Sequence, residues 1–207
     1  MSADTRHMDL ALSSASTATG QVRVRVWDRF VRVFHWSLVL SFFTAYFSTM
    51  GGPRWLHEAS GYTALALVAA RIVWGFTGAG HARFASFVPR PMVFIAYAGD
   101  MLRGQERRFL GHNPAAAVMI LFLLAMVIGI GVTGWMMTTD AWWGNEVVES
   151  VHLLLVDATL LAVAVHVSAA VYESLKHREN LVWSMVTGTK RAGTPQDRPE
   201  ARGQGLM

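Results

Sequence analysis

The sequence predicts an all-α integral membrane protein, a four-helix bundle with both termini in the cytoplasm. Three observations predict it. Of the 207 residues, 15% are charged and 53% hydrophobic, against roughly 25% charged in an ordinary soluble domain. The charges are clustered, and four long segments between the clusters hold almost none. Lys and Arg gather on alternate sides of those segments, as they do in the cytoplasmic loops of membrane proteins.

The elements follow in order. The first twenty or so residues are rich in Ser, Thr and Ala and lack an apolar core of signal-peptide length, so 1–22 reads as a disordered cytoplasmic tail. Arg23 to Arg32, with Trp27 and Phe30 interleaved, reads as an interfacial lead-in to a span. Four segments reach the roughly 17–25 residues needed to cross a bilayer. The first runs from about Val33 to Met50. The second, from about Glu58 to Thr77, carries Arg71 in its body. The third, from about Ala115 to Met137, has no charge, and the fourth, from about Val151 to Tyr172, contains Asp157. Gly51 to Leu56 holds the Gly and Pro of a tight turn, and Trp142 and Trp143 mark an interface between Asp140 and Asn145. Pro91–Leu102 and Asn180–Thr187 are predicted as short amphipathic helices on the cytoplasmic surface. Residues 23–191 form the one folded domain, and 192–207 are a second disordered tail.

Topology comes from the basic residues. Among the eighteen Lys and Arg, Arg54 falls in an outward loop and Arg71 inside a span. The other sixteen lie before the first span, between spans two and three, or after span four. That places both termini and the 78–114 loop in the cytoplasm and makes the protein multi-pass. The outer loops carry Glu58, Asp140, Glu146 and Glu149 against Arg54 and are mildly acidic. A net charge of +4 invites a nucleic-acid reading, but a soluble nucleic-acid binder would not segregate its charges this way. The absence of cysteine excludes disulfides, iron–sulfur clusters, thiolate zinc and covalently attached haem.

Ionisable groups inside a membrane are costly and point to function. His35, His57, His152 and His166 lie within or at the ends of spans. Span one runs outward, and His35 enters it near the cytoplasm. Spans two and four run inward, so His57 and His152 lie near the outer surface. His166 lies about 14 residues beyond His152, roughly 21 Å deeper. Two pairs result, His57 with His152 in the outer leaflet and His35 with His166 in the inner. At 100° per residue the two span-four histidines are about 40° apart and share one face. Upright haems between helices need two imidazoles at one depth. Zinc more often takes three or four ligands at one depth. Two imidazoles per iron leave no position for dioxygen, which favours electron transfer.

Other residues fit this reading less specifically. Gly61 lies one turn past His57, and Gly129, Gly131 and Gly134 line span three, where cofactor contact and helix packing explain small residues equally well. Arg71 could pair with a propionate of the inner haem or snorkel to the interface. Asp157 points away from the His152 face and reads as a neutral, interhelically bonded carboxyl, with proton relay as the second reading. His7, His81, His112 and His177 read as solvent-facing.

The run Trp27-Asp28-Arg29-Phe30-Val31-Arg32-Val33-Phe34-His35-Trp36 resembles the opening of bacterial cytochrome b561 and nickel-hydrogenase b-type cytochrome subunits. His57-Glu58-Ala59-Ser60-Gly61-Tyr62, Arg71 to Gly78, His81-Ala82-Arg83-Phe84, Gly111-His112-Asn113-Pro114 and His177-Arg178-Glu179-Asn180-Leu181 are similar too. The resemblance covers about residues 24–191. It implies four spans and haem ligands from spans one, two and four, which fall on His35, His57, His152 and His166. The expected function is a di-haem b-type cytochrome with two haem b, passing electrons between quinone or quinol and a partner on the periplasmic side. That partner is a hydrogenase or dehydrogenase subunit or a c-type cytochrome. The competing expectation is a stand-alone superoxide:quinone oxidoreductase of the same fold. It needs a basic outer funnel, and the outer loops offer Arg54 for it.

Overall fold

A computed structural model describes residues 23–78, 82–105 and 113–191. Among them are strand β1 (Arg23–Arg25), then helices α1 (Arg29–Ser48), α2 (Arg54–Thr77), α3 (Phe84–Phe87) and α4 (Pro91–Leu102). Helices α5 (Pro114–Met136), α6 (Glu146–Lys176) and α7 (Leu181–Thr187) and strand β2 (Thr189–Arg191) complete the order. The expected tails 1–22 and 192–207 lie outside the described residues, as do His7, His81 and His112.

Helices α1, α2, α5 and α6 are the four spans, with 20, 24, 23 and 31 residues. At about 1.5 Å per residue, each is long enough for the roughly 30 Å of hydrocarbon. Their first turns explain where they begin. Asp28 accepts from the Val31 amide at 2.7 Å, so α1 opens at Arg29 rather than near Val33. Asn113 accepts from the Ala116 amide at 2.7 Å ahead of Pro114, whose missing N–H costs nothing at a helix start. Asn145 accepts from the amides of Val147 and Val148, which carries α6 outward past the expected start at Val151. Helix α2 starts at Arg54, so Arg54 to Leu56 are helical rather than part of the turn. The surface helix expected over Pro91–Leu102 is α4. The second begins at Leu181, because Asn180 caps it by accepting from the Trp183 amide.

The basic lead-in is built differently from expectation. Arg23–Arg25 pairs antiparallel with Thr189–Arg191, Arg23 opposite Arg191 and Arg25 opposite Thr189. The amides of Val26 and Trp27 then donate to the Gly188 carbonyl at 2.9 and 3.1 Å, and the Trp27 indole donates to Ser184 at 3.3 Å. Gly188 turns from α7 into β2 at φ +84°, a conformation that costs glycine little. Both ends of the described chain are therefore tied together at one end of the bundle, as an even number of spans requires.

Close packing runs from α1 to α2, from α2 to α5, and from α5 to α6. Phe34, Ala64, Val68, Leu124 and Val127 form the core between α1, α2 and α5. Helix α6 leans on α5 through Leu155, which sits where a Cβ on Gly129 would come within 3.0 Å. Among the described residues α6 does not pack closely against α1 or α2. The His57 and His152 rings bridge α2 and α6 at one end. Leu40, Phe47, Phe76, Leu154 and Leu161 are exposed around the bundle, as a lipid-facing surface demands.

Candidate functional site

The outer pair forms where α2 and α6 begin. His57 sits in the first turn of α2 and His152 in the second turn of α6. Their rings lie with centres 6.4 Å apart and planes at 66°. Nδ1 of His57 lies 2.9 Å from the Ala45 carbonyl of α1. A carbonyl can only accept, so Nδ1 carries the proton and Nε2 keeps its lone pair. Nδ1 of His152 lies 2.9 Å from the Thr133 hydroxyl of α5. His152 is buried, and Gly134 allows its ring against α5, where a Cβ would come within 3.3 Å of Cε1.

The inner pair joins α1 to α6. His35, in the second turn of α1, interacts electrostatically with His166. Its Nδ1 is buried and meets no hydrogen-bond partner among the described residues. The outer pair meets as a ring contact, and the inner pair lies within charge-interaction range. Among the described residues no three His, Asp or Glu side chains assemble as a metal cluster. The histidines meet in twos.

Haem can be tested against this geometry. A metal–imidazole bond is about 2 Å long, so rings on opposite faces of one iron have centres about 6 Å apart. The 6.4 Å of the outer pair fits. A flat macrocycle also needs room between helices, and α6 does not pack closely on α1 or α2 among the described residues. Gly61 strengthens the fit, since a Cβ there would meet nothing within 4 Å. Protein packing gives no reason for that glycine. Gly129, Gly131 and Gly134, by contrast, are accounted for by Leu155, Leu65 and His152.

Arg71 does not snorkel. It is 3% exposed, because α3 folds back over α2 and encloses it. Its Nη2 donates to the Ala82 carbonyl at 3.0 Å, and its guanidinium lies 5.0 Å from the centre of the Phe84 ring. Phe84 packs so closely on Gly75 that no side chain would fit there. Asp28 adds a favourable charge, and its Oδ2 accepts from the Trp74 indole at 3.0 Å. Nη1 of Arg71 stays buried without a partner among the described residues. A guanidinium nitrogen left in that state suits a carboxylate, and haem carries two.

Two polar expectations are corrected. Asp157 is exposed on α6 and makes no interhelical hydrogen bond among the described residues, because this face of α6 turns away from α5. His177 is partly buried rather than solvent-facing. Its Nε2 lies 3.2 Å from Glu173, one turn earlier on α6. Thr133 and the Ala45 carbonyl are not singled out by the sequence, and Phe84 enters only within the His81-Ala82-Arg83-Phe84 motif. For Thr133 a signal existed, a hydroxyl in an otherwise apolar span.

Known proteins resemble the chain over most of its length. Residues 26–188 match the prokaryotic cytochrome b561 family. The chain is 26% identical to a Bradyrhizobium diazoefficiens protein named probable Ni/Fe-hydrogenase B-type cytochrome subunit, over 86% of this chain and 90% of that one. Proteins of the same name from Rhodobacter capsulatus and Azotobacter vinelandii are 25% and 26% identical. They cover 80% and 90% of this chain and 80% and 98% of their own lengths. With four bilayer-length helices and a match over most of its length, the chain is a multi-pass membrane b-type cytochrome of electron transfer and belongs to the prokaryotic cytochrome b561 family.

Proposed function

We propose that the chain is a di-haem cytochrome b of the bacterial inner membrane, linking the quinone pool to a redox partner on the periplasmic side. The observation that carries this reading is the His57–His152 ring pair between α2 and α6, with His35 within charge-interaction range of His166 further along α6. His57 and His152 would hold the outer haem, His35 and His166 the inner. Arg71 would hold a carboxylate of the inner one through Nη1, and Gly61 would make room beside the outer one. Bound there, haem supplies reversible one-electron exchange at its iron. With two histidines given to each iron, the sites would favour electron exchange over dioxygen binding. The lipid-facing helices keep water from the path and leave apolar surface by which a quinone can approach. Residues 23–191 make up the functional domain, with both termini on the cytoplasmic side by the distribution of Lys and Arg.

For the partner, the names of the relatives favour a hydrogenase over a dehydrogenase or c-type cytochrome. The stand-alone superoxide:quinone reading loses its one anion-attracting group. Arg54 is engaged by Glu58 at 2.6 Å and lies over the Trp143 ring at 4.9 Å. Anaerobic purification of the tagged chain from its native membranes tests this. The expected result is a co-purifying hydrogenase, with hydrogen reducing the b-type spectrum and a short-chain quinone reoxidising it. A chain that purifies alone and is reduced by superoxide would overturn the partner assignment.

A further inference from the structure

We infer that Thr133 is a positioning residue for the outer haem, setting the tautomer of His152 and lowering the reduction potential of the iron that His152 binds. The inference rests on the di-haem reading above. Helix α5 supplies no histidine to either pair, yet Thr133 and Gly134 both serve His152. The Thr133 hydroxyl lies 2.8 Å from the Gly129 carbonyl and 3.1 Å from the Ile130 carbonyl. The hydroxyl hydrogen can go to either carbonyl, which leaves the oxygen able to accept from His152. With Nε2 kept for the iron, the neutral ring carries its proton on Nδ1 and donates it to Thr133.

His57 is held the same way by the Ala45 carbonyl. Both outer imidazoles thus donate from Nδ1, which makes Nε2 a stronger donor and stabilises ferric over ferrous iron. The inner pair differs, for Nδ1 of His35 meets no acceptor among the described residues. Gly134 completes the device. A side chain there would push the ring off α5 and lengthen the bond to Thr133.

The test is a redox titration of the purified protein, with haem content read by pyridine haemochrome. In Thr133→Val the acceptor is gone and the shape is kept. Two haems per chain are expected. At fixed ambient potential the reduced-to-oxidised ratio of one haem should rise about three- to tenfold, tenfold being about 59 mV for one electron. The other haem stays in place, and Thr133→Ser, which restores the acceptor, returns both to the wild-type values. Two haems with unmoved midpoints in Thr133→Val would overturn the inference. Should Thr133→Val lose a haem outright, full haem content and wild-type midpoints in Thr133→Ser support it, and loss there too overturns it. A wild-type protein without haem would instead sink the di-haem reading itself, so the two failures are distinguishable.

Discussion

At Arg71 burial and charge compete. A guanidinium enclosed by Phe84 and Ala82, with one nitrogen unpaired among the described residues, is costly unless something negative meets it. Arg71→Gln removes the positive charge and should lower the midpoint of the inner haem by several tens of millivolts, roughly 1 kcal/mol. Arg71→Lys should retain most of the effect. A redox titration reads both, and unchanged midpoints in the Gln variant would remove Arg71 from the site. At this scale the four histidines were legible in the sequence because an ionisable residue in an apolar segment stands out. The partners of their second nitrogens were not. Ala45 acts through a backbone carbonyl, which leaves no trace in residue identity. Whether Arg71 snorkels depends on what lies above it, and Phe84 reaches it only through the tertiary fold.

Among the elements, the long helices and the Pro91–Leu102 surface helix were legible because hydropathy and a proline start mark them. The paired strands were not, since three residues carry too little alternation to signal a strand and their partner lies at the far end of the domain. That pairing is open to test in a chain without cysteine. With Arg25→Cys and Thr189→Cys, the opposed positions should form an intramolecular disulfide on mild oxidation, seen as a mobility shift reversed by reductant. Absence of the cross-link in folded protein would contradict the sheet. Asp28 serves two elements, capping α1 and accepting from Trp74 of α2. Asp28→Ala should therefore cost about 2 kcal/mol, the sum of a lost cap and a lost hydrogen bond. Thermal unfolding in detergent measures it, and an unshifted midpoint would show that neither bond matters.

For the whole molecule, the packing order α1–α2–α5–α6 explains why the fourth span can face the first two without touching them closely. Span α6 is fixed by α5, and His152 reaches from it to His57 while resting on Thr133 and Gly134. Charge counting bears on the side of the membrane, and the β1–β2 pairing requires both described ends to share it. Reporter tags fused at the two ends should both be digested in inverted vesicles and both be protected in right-side-out ones. Opposite behaviour of the two tags would contradict the even-span fold. The central claim is that two histidine pairs hold two haems. Its most direct measurement is haem per chain, by pyridine haemochrome, in the wild type and in the His152→Ala and His166→Ala variants. The account predicts two b-type haems in the wild type and one in each variant, with the two variants retaining spectroscopically different haems. A folded wild type with one haem or none, or variants that still hold two, would contradict it.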